Sequence, residues 1–250
     1  MEHDLNNLRG LLKADSWKYL RGIKTDQQQR IAQPPVQKDP PPDAELIDLP
    51  APDSLSLGGI PLIDAINARA SVRRYSDASL SLDELSFLLW ATQGVKELST
   101  QGTTTMRVVP SGGARHAFET YLLVNRVDGL SEGLYRFLAV EHSLAKLAGI
   151  DNLPARIVDA CMGQGWCGRS AVVFVWACIP YRMEWRYSFT AHKTIALDAG
   201  HVCQNLYLAV TAIGCGTCAV GAYDQQRMDE LIGVDGDDEF TVYLAPVGKV

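Results

Sequence analysis

No apolar run in this chain is long enough to cross a bilayer: the longest, residues 171–179, has nine residues against the roughly 20 that a spanning helix needs. The chain opens with Glu2, His3 and Asp4 rather than a charged and then apolar leader, so neither a signal peptide nor a membrane partner is expected. Positive charge is scarce as well. With 23 Lys and Arg against 29 Asp and Glu the net charge is −6, which forces no broad electropositive face and makes nucleic acid a poor partner. Cysteine is sparse, six in 250 residues, so a disulfide framework is not expected and the thiols read as reduced, in the cytoplasm. A Walker-type phosphate loop, the Rossmann glycine fingerprint after a strand, and a nucleophile with its base and orienting partner are all missing. What remains, 47% apolar and 21% charged, describes a globular protein of one large domain or two small ones.

Proline is concentrated where the rest of the chain avoids it. Residues 34–61 hold eight of the twelve prolines, and a residue without an amide hydrogen neither continues a helix nor pairs in a central strand. This stretch reads as an extended arm that wraps its own domain or a partner subunit. It follows a short helical pattern of Leu8, Leu11, Leu12 and Trp17, so residues 1–60 form one unit and 61–250 the main body. The body opens with Pro61 at a first helical position, then Leu62, Ile63, Ala65 and Ile66, ending at Ala70. Ser81 with Glu84 three residues on is a capping box that announces a second helix stopping near Gly94. Strands are expected over 106–109, 120–124, 133–137, 171–179 and 240–247, and short helices over 155–161 and 225–232. Between residues 195 and 213, 13 of 19 positions are apolar, so a helix over 192–213 should be buried on most faces, at the domain centre or in a subunit interface. Interleaved helices and clustered strands make the class α+β.

Three constellations could carry chemistry. Arg69, Ser71, Arg73 and Arg74 crowd just beyond a helix end and offer forked donors to a phosphate or a ring oxygen, or simply answer the helix dipole. Pro110, Ser111, Gly112 and Gly113 pair a stiff turn with two residues lacking side chains, where a flat ligand can approach the backbone. Residues 214–222 are small and glycine-rich, and contain Cys215 and Cys218. A redox dithiol there is disfavoured because the pair follows a long helix rather than opening one. A zinc site joining it to Cys161 and Cys167 is disfavoured by the five-residue spacer, so no metal is expected. His201, within the apolar helix, reads as a hydrogen-bonded core or interface residue.

Taken in register, residues 69–76 with 82–85 and 88–94, 107–114, 197–206, and 221–224 with 231–236 resemble the flavin-dependent nitroreductase family, and within it the SagB-type branch that includes azoline dehydrogenases. The resemblance implies an α+β fold with a central, mostly antiparallel sheet flanked by helices, a homodimer, and FMN in clefts at the subunit interface. It implies that Arg69, Ser71 and Arg73 meet the flavin phosphate, ribityl chain and pyrimidine edge, with Lys249 adding charge at the phosphate. Pro110, Ser111, Gly112 and Gly113 would border the ring from the other subunit. The backbone of Ala219, Val220 and Gly221 would face its N5 and O4 region, and Gln164 falls where the branch has a glutamine. The implied activity is NAD(P)H-dependent reduction of a small-molecule substrate by ping-pong hydride transfer. The alternatives are oxidation of an azoline-like substrate, or flavin binding without turnover. Azoline dehydrogenases use a Lys-Tyr pair for proton removal, and here the matching residues are Arg186 and Tyr187. Arginine stays protonated and cannot be the base, which leaves Tyr187 as the candidate catalytic proton donor.

Overall fold

Two runs with no exposed residue, β4 (Phe118–Val124) and β7 (Val172–Cys178), pair side by side and form the middle of the sheet. Successive side chains on a strand point to opposite faces, so strands buried throughout need cover on both sides. Phe118, Leu122, Phe174 and Trp176 face one core, packed with α3 (Leu82–Gln93) and the long helix α7 (Ala191–Ala212). Tyr121, Leu123, Val173 and Val175 face a second core, packed with α4 (Leu153–Ala160) and α8 (Gln225–Ile232). The computed structural model describes residues 9–250, so Leu8 of the expected N-terminal pattern lies outside the described residues.

Seven strands make the sheet, every pair antiparallel, in the order β1-β6-β5-β4-β7-β9-β8. The others are β1 (Glu45–Asp48), β5 (Gly133–Leu138), β6 (Ser143–Ala148), β8 (Cys215–Thr217) and β9 (Phe240–Lys249). A separate ribbon joins β2 (Val95–Leu98) to β3 (Thr105–Arg107). The capping box is present in both directions: Glu84 N donates to Ser81 Oγ at 3.2 Å, and Ser81 N to Glu84 Oε2 at 2.9 Å. Helix α2 (Leu62–Ala68) begins one residue later than expected, with Pro61 as its N-cap.

The proline-rich stretch is tied to the body. Arg107, buried, donates to Val36 O and Gln93 Oε1; Arg136 donates to the Lys38 and Asp39 carbonyls; Lys38 pairs with Glu239. Its strand, β1, takes an edge position, the one place in a sheet that tolerates prolines nearby. Helix α7 differs from the expected burial. Nine of its 22 residues are buried, but Leu197 is 54% exposed and Gly200, His201 and Gln204 lie on the same open side. Its apolar residues mostly face the core, with Leu197 the large exception on the open side.

Candidate functional site

Helix α2 stops because Arg69 adopts an extended conformation (φ −53°, ψ 122°), and the next residues run beside β8. Val72 N donates to Thr217 O at 2.8 Å and Ser76 N to Lys249 O at 2.9 Å. The approach is so close that only glycine fits opposite. A Cβ on Gly216 would lie 2.8 Å from Val72 Cβ, and one on Gly248 would lie 2.9 Å from Tyr75. The arginine-rich segment is thus pinned against the end of the sheet that carries Cys218, Ala219 and Val220.

Tyr207, on α7, joins the two segments. Its hydroxyl accepts from Ala219 N at 2.9 Å and lies 3.1 Å from Ser71 Oγ. The Arg69 guanidinium sits 5.6 Å from the Tyr207 ring centre, and Arg73 sits 5.7 Å from that of Trp166. Among the described residues neither arginine has a carboxylate partner. Lys249 does: it pairs with Glu84, and although burial, the largest single influence, pulls the lysine pKa down, Glu84 and Cys215 together make the net shift upward. Of the three amides expected to face a ligand, Ala219 N is held by Tyr207 and Val220 N by Leu244 O at 2.8 Å. Gly221 N has no acceptor among the described residues, and a Cβ built on Gly221 would meet nothing within 4 Å. Gln164 closes this neighbourhood by donating to Ala222 O at 2.8 Å.

The loop of Pro110, Ser111, Gly112 and Gly113 is elsewhere in the chain. Gly112 N donates to the Asp198 carboxylate at 3.1 Å. Burial raises the Asp198 pKa, while the neighbouring Ser111 side chain, the Gly112 amide and His201 pull the other way. Asp198 and Tyr207 are both on α7, nine residues apart, so roughly 13 Å of helix separates the two groups. A Cβ on Gly113 (φ 60°) would lie 2.5 Å from the Tyr187 hydroxyl, which places Tyr187 directly against this loop. The expected site residues therefore form two clusters. Arg69, Ser71, Arg73, Gln164, Ala219, Val220, Gly221 and Lys249 belong to the first, and residues 110–113 with Tyr187 to the second.

Tyr207, Asp198 and Trp166 are site neighbours that sequence reasoning passed over. The signal was a polar group on an otherwise apolar helix, which singled out His201 instead. His201 is half exposed, 3.7 Å from Asp198. All six cysteines are free and buried, burial pushes Cys215 up to about 11, and no group of three metal-binding side chains occurs among the described residues. No described helix is long and apolar enough to cross a membrane.

Comparison with known proteins agrees with this architecture. The model of the nitroreductase family matches residues 66–249. MJ1384 of Methanocaldococcus jannaschii, a nitroreductase by name, is 30% identical over 190 residues, covering 76% of this chain and 91% of the relative. A nitroreductase-like crystal structure from Ralstonia eutropha JMP134 superposes with a TM-score of 0.68 at 26% identity, covering 88% of this chain and 98% of its own. A structure from Exiguobacterium sibiricum 255-15, solved in complex with FMN, shares the fold with a TM-score of 0.55 at 14% identity, covering 77% of this chain and 89% of its own. With a family model spanning most of the chain and a relative matched almost end to end, this chain belongs to the nitroreductase family.

Proposed function

We propose that the chain is an FMN-dependent oxidoreductase that uses NAD(P)H to reduce a small organic acceptor, working as a homodimer with residues 61–250 as its flavin-binding body. The observation that carries this reading is the Tyr207 junction, which joins Ser71 and the Arg69 guanidinium to the 219–221 turn, with Arg73 stacked on Trp166 and neither arginine paired to a carboxylate. Two cations without carboxylates suit a phosphate, and the Gly221 amide, free among the described residues, suits the polar edge of a ring. In this reading Arg69, Ser71 and Arg73 bind the phosphate, ribityl and pyrimidine groups, and Lys249, shared with Glu84, adds positive potential. Gln164 braces the 219–222 turn through the Ala222 carbonyl. The chemistry a bound flavin supplies is a two-stage hydride relay, from reduced nicotinamide first and to the acceptor second. Pro110, Ser111, Gly112 and Gly113 border the ring held by the other subunit, and Tyr187 delivers a proton. The open face of α7 and the exposed Leu62 (65%), Ile63 (61%) and Ile66 (51%) of α2 support the subunit contact. Arg186 in place of a base favours acceptor reduction over azoline oxidation.

An absorbance spectrum of the purified protein tests this. Flavin bands that bleach on anaerobic addition of NADH or NADPH are expected; a protein that stays colourless after incubation with FMN overturns the reading. Tyr207→Phe removes both hydroxyl contacts at once, each worth about 0.5–1.5 kcal/mol. The dissociation constant for FMN, read by flavin fluorescence quenching, is expected to rise about tenfold. An unchanged constant would remove Tyr207 from the site.

A further inference from the structure

The N-terminal segment is seated on the second cluster. Gln27 N donates to Trp185 O at 2.9 Å, Trp185 Nε1 to Ile31 O at 2.9 Å, Tyr181 to Asp26 Oδ2 at 2.7 Å, and Lys193 to Leu12 O at 2.6 Å. These bonds bind residues 12–31 to α6 (Tyr181–Tyr187) and the start of α7. They also bring Trp17, in the short helix α1 (Trp17–Leu20), edge-on to Tyr187, with ring centres 5.7 Å apart and planes at 65°. Arg186 lies 5.5 Å from the centre of the same tyrosine ring. Arg186 is exposed and has no carboxylate partner among the described residues; Glu184, two residues away on the helix, pairs with His192 at 2.7 Å. Buried Arg115 adds a second cation close by. The following residue, Ser188, is held at φ 48° and ψ −139°, a backbone region that side-chain-bearing residues rarely adopt.

We infer that Trp17, Tyr187 and Arg186 form a subsite for a planar, anionic substrate, with residues 12–31 as its outer wall. The inference rests on the reading of residues 110–113 as the border of the flavin, since Tyr187 touches Gly113. An aromatic pair and a guanidinium without a carboxylate partner fit a flat molecule bearing a carboxylate, with Arg115 as a second cation close by. Trp17 acts by packing, and Arg186 by pairing with the acid.

The test is calorimetric titration of the full-length protein as purified, with 4-nitrobenzoate and neutral 4-nitrobenzyl alcohol as probes, alongside its flavin absorbance. The acid is expected to bind about tenfold more tightly than the alcohol. Arg186→Gln should remove that preference and leave the alcohol unaffected. Trp17→Ala should weaken both probes about fivefold and Trp17→Phe should restore them, with melting temperatures confirming folded variants. Equal affinity for the two probes, no binding of either, or unchanged affinities in Arg186→Gln and Trp17→Ala would overturn the subsite, whether or not flavin is present. Selective binding of the acid by a protein that takes up no FMN would instead overturn the flavin reading and leave the subsite standing.

Discussion

Replacing Glu119 with alanine lowers the free energy of unfolding by about 3–5 kcal/mol, a large part of what a domain of this kind holds. Glu119 sits on β4 with 3% of its side chain exposed; its Oε1 accepts from Arg182 Nη2 and, at 2.8 Å, from Lys38 N. Arg182 is equally buried, so truncating the acid strands a guanidinium where water cannot reach it. The attraction within such a pair scarcely repays the cost of drying it. The loss therefore measures the orphaned charge, and a double variant, Glu119→Leu with Arg182→Met, should recover most of the stability. Urea unfolding at fixed protein concentration checks this. A single variant within about 1 kcal/mol of the parent would show that the pair is not buried as described. Because Lys38 N is lost as well, the strap at residues 36–39 should become protease-sensitive first.

The second large effect is expected in acid. Burial, then the positive charges of Arg107 and Arg115, push the His116 pKa down to about 3, while a bond to the Thr105 backbone offers partial support. The sign follows from proton counting. Between the unfolded value near 6.5 and about 3, the unfolded chain binds a proton that the folded chain refuses, so stability falls as pH falls. The slope is about 1.4 kcal/mol per pH unit, which amounts to about 3 kcal/mol by pH 4.5. His116→Asn suits the positive φ of 45° at this position and has nothing to titrate. The wild-type advantage over the variant should shrink steadily from pH 6.5 to 4.5; parallel stability curves would dispose of the idea. His116 N donates to Ser111 Oγ at 2.9 Å, which ties this residue through its backbone to the turn that carries Gly112 and Gly113.

Local signals in the sequence were sufficient wherever the cause was local. Ser81 and Glu84 lie three residues apart and make their bonds to each other, so the start of α3 is visible without any tertiary knowledge. The apolar run of β7 and the limits of α8, with Asp224 capping one end and left-handed Gly233 ending the other, are legible for the same reason. Elements stabilised from a distance were not. Strand β1 exists because β6 offers it a partner 98 residues later, whereas its acidic ends and the prolines that flank it argue for a loop. Helix α6 was hidden because its seven residues are anchored through Arg182 and Trp185 to remote partners. The site divides in the same way. Arg69, Ser71 and Arg73 could be named from their composition, but the hydroxyl that fixes Ser71 belongs to a residue 136 positions away. Lys249 could be named too, but not its pairing with Glu84, 165 positions distant.

The two margins of the sheet have a bearing on how copies of this protein behave in crowded solution. At one margin β1 is four residues long, begins with Glu45 and ends with Asp48, and is followed by Pro50. At the other, β8 is three residues long and its outer side is already occupied by Ser71 and Val72. Neither margin offers the long, flat row of free backbone donors and acceptors on which one sheet recruits another. The segment that binds phosphate in our reading thereby also seals an open rim, and the arm seals the opposite one. Edge-to-edge pairing is disfavoured at both margins, and in our reading the subunits meet through the faces of α2 and α7 instead.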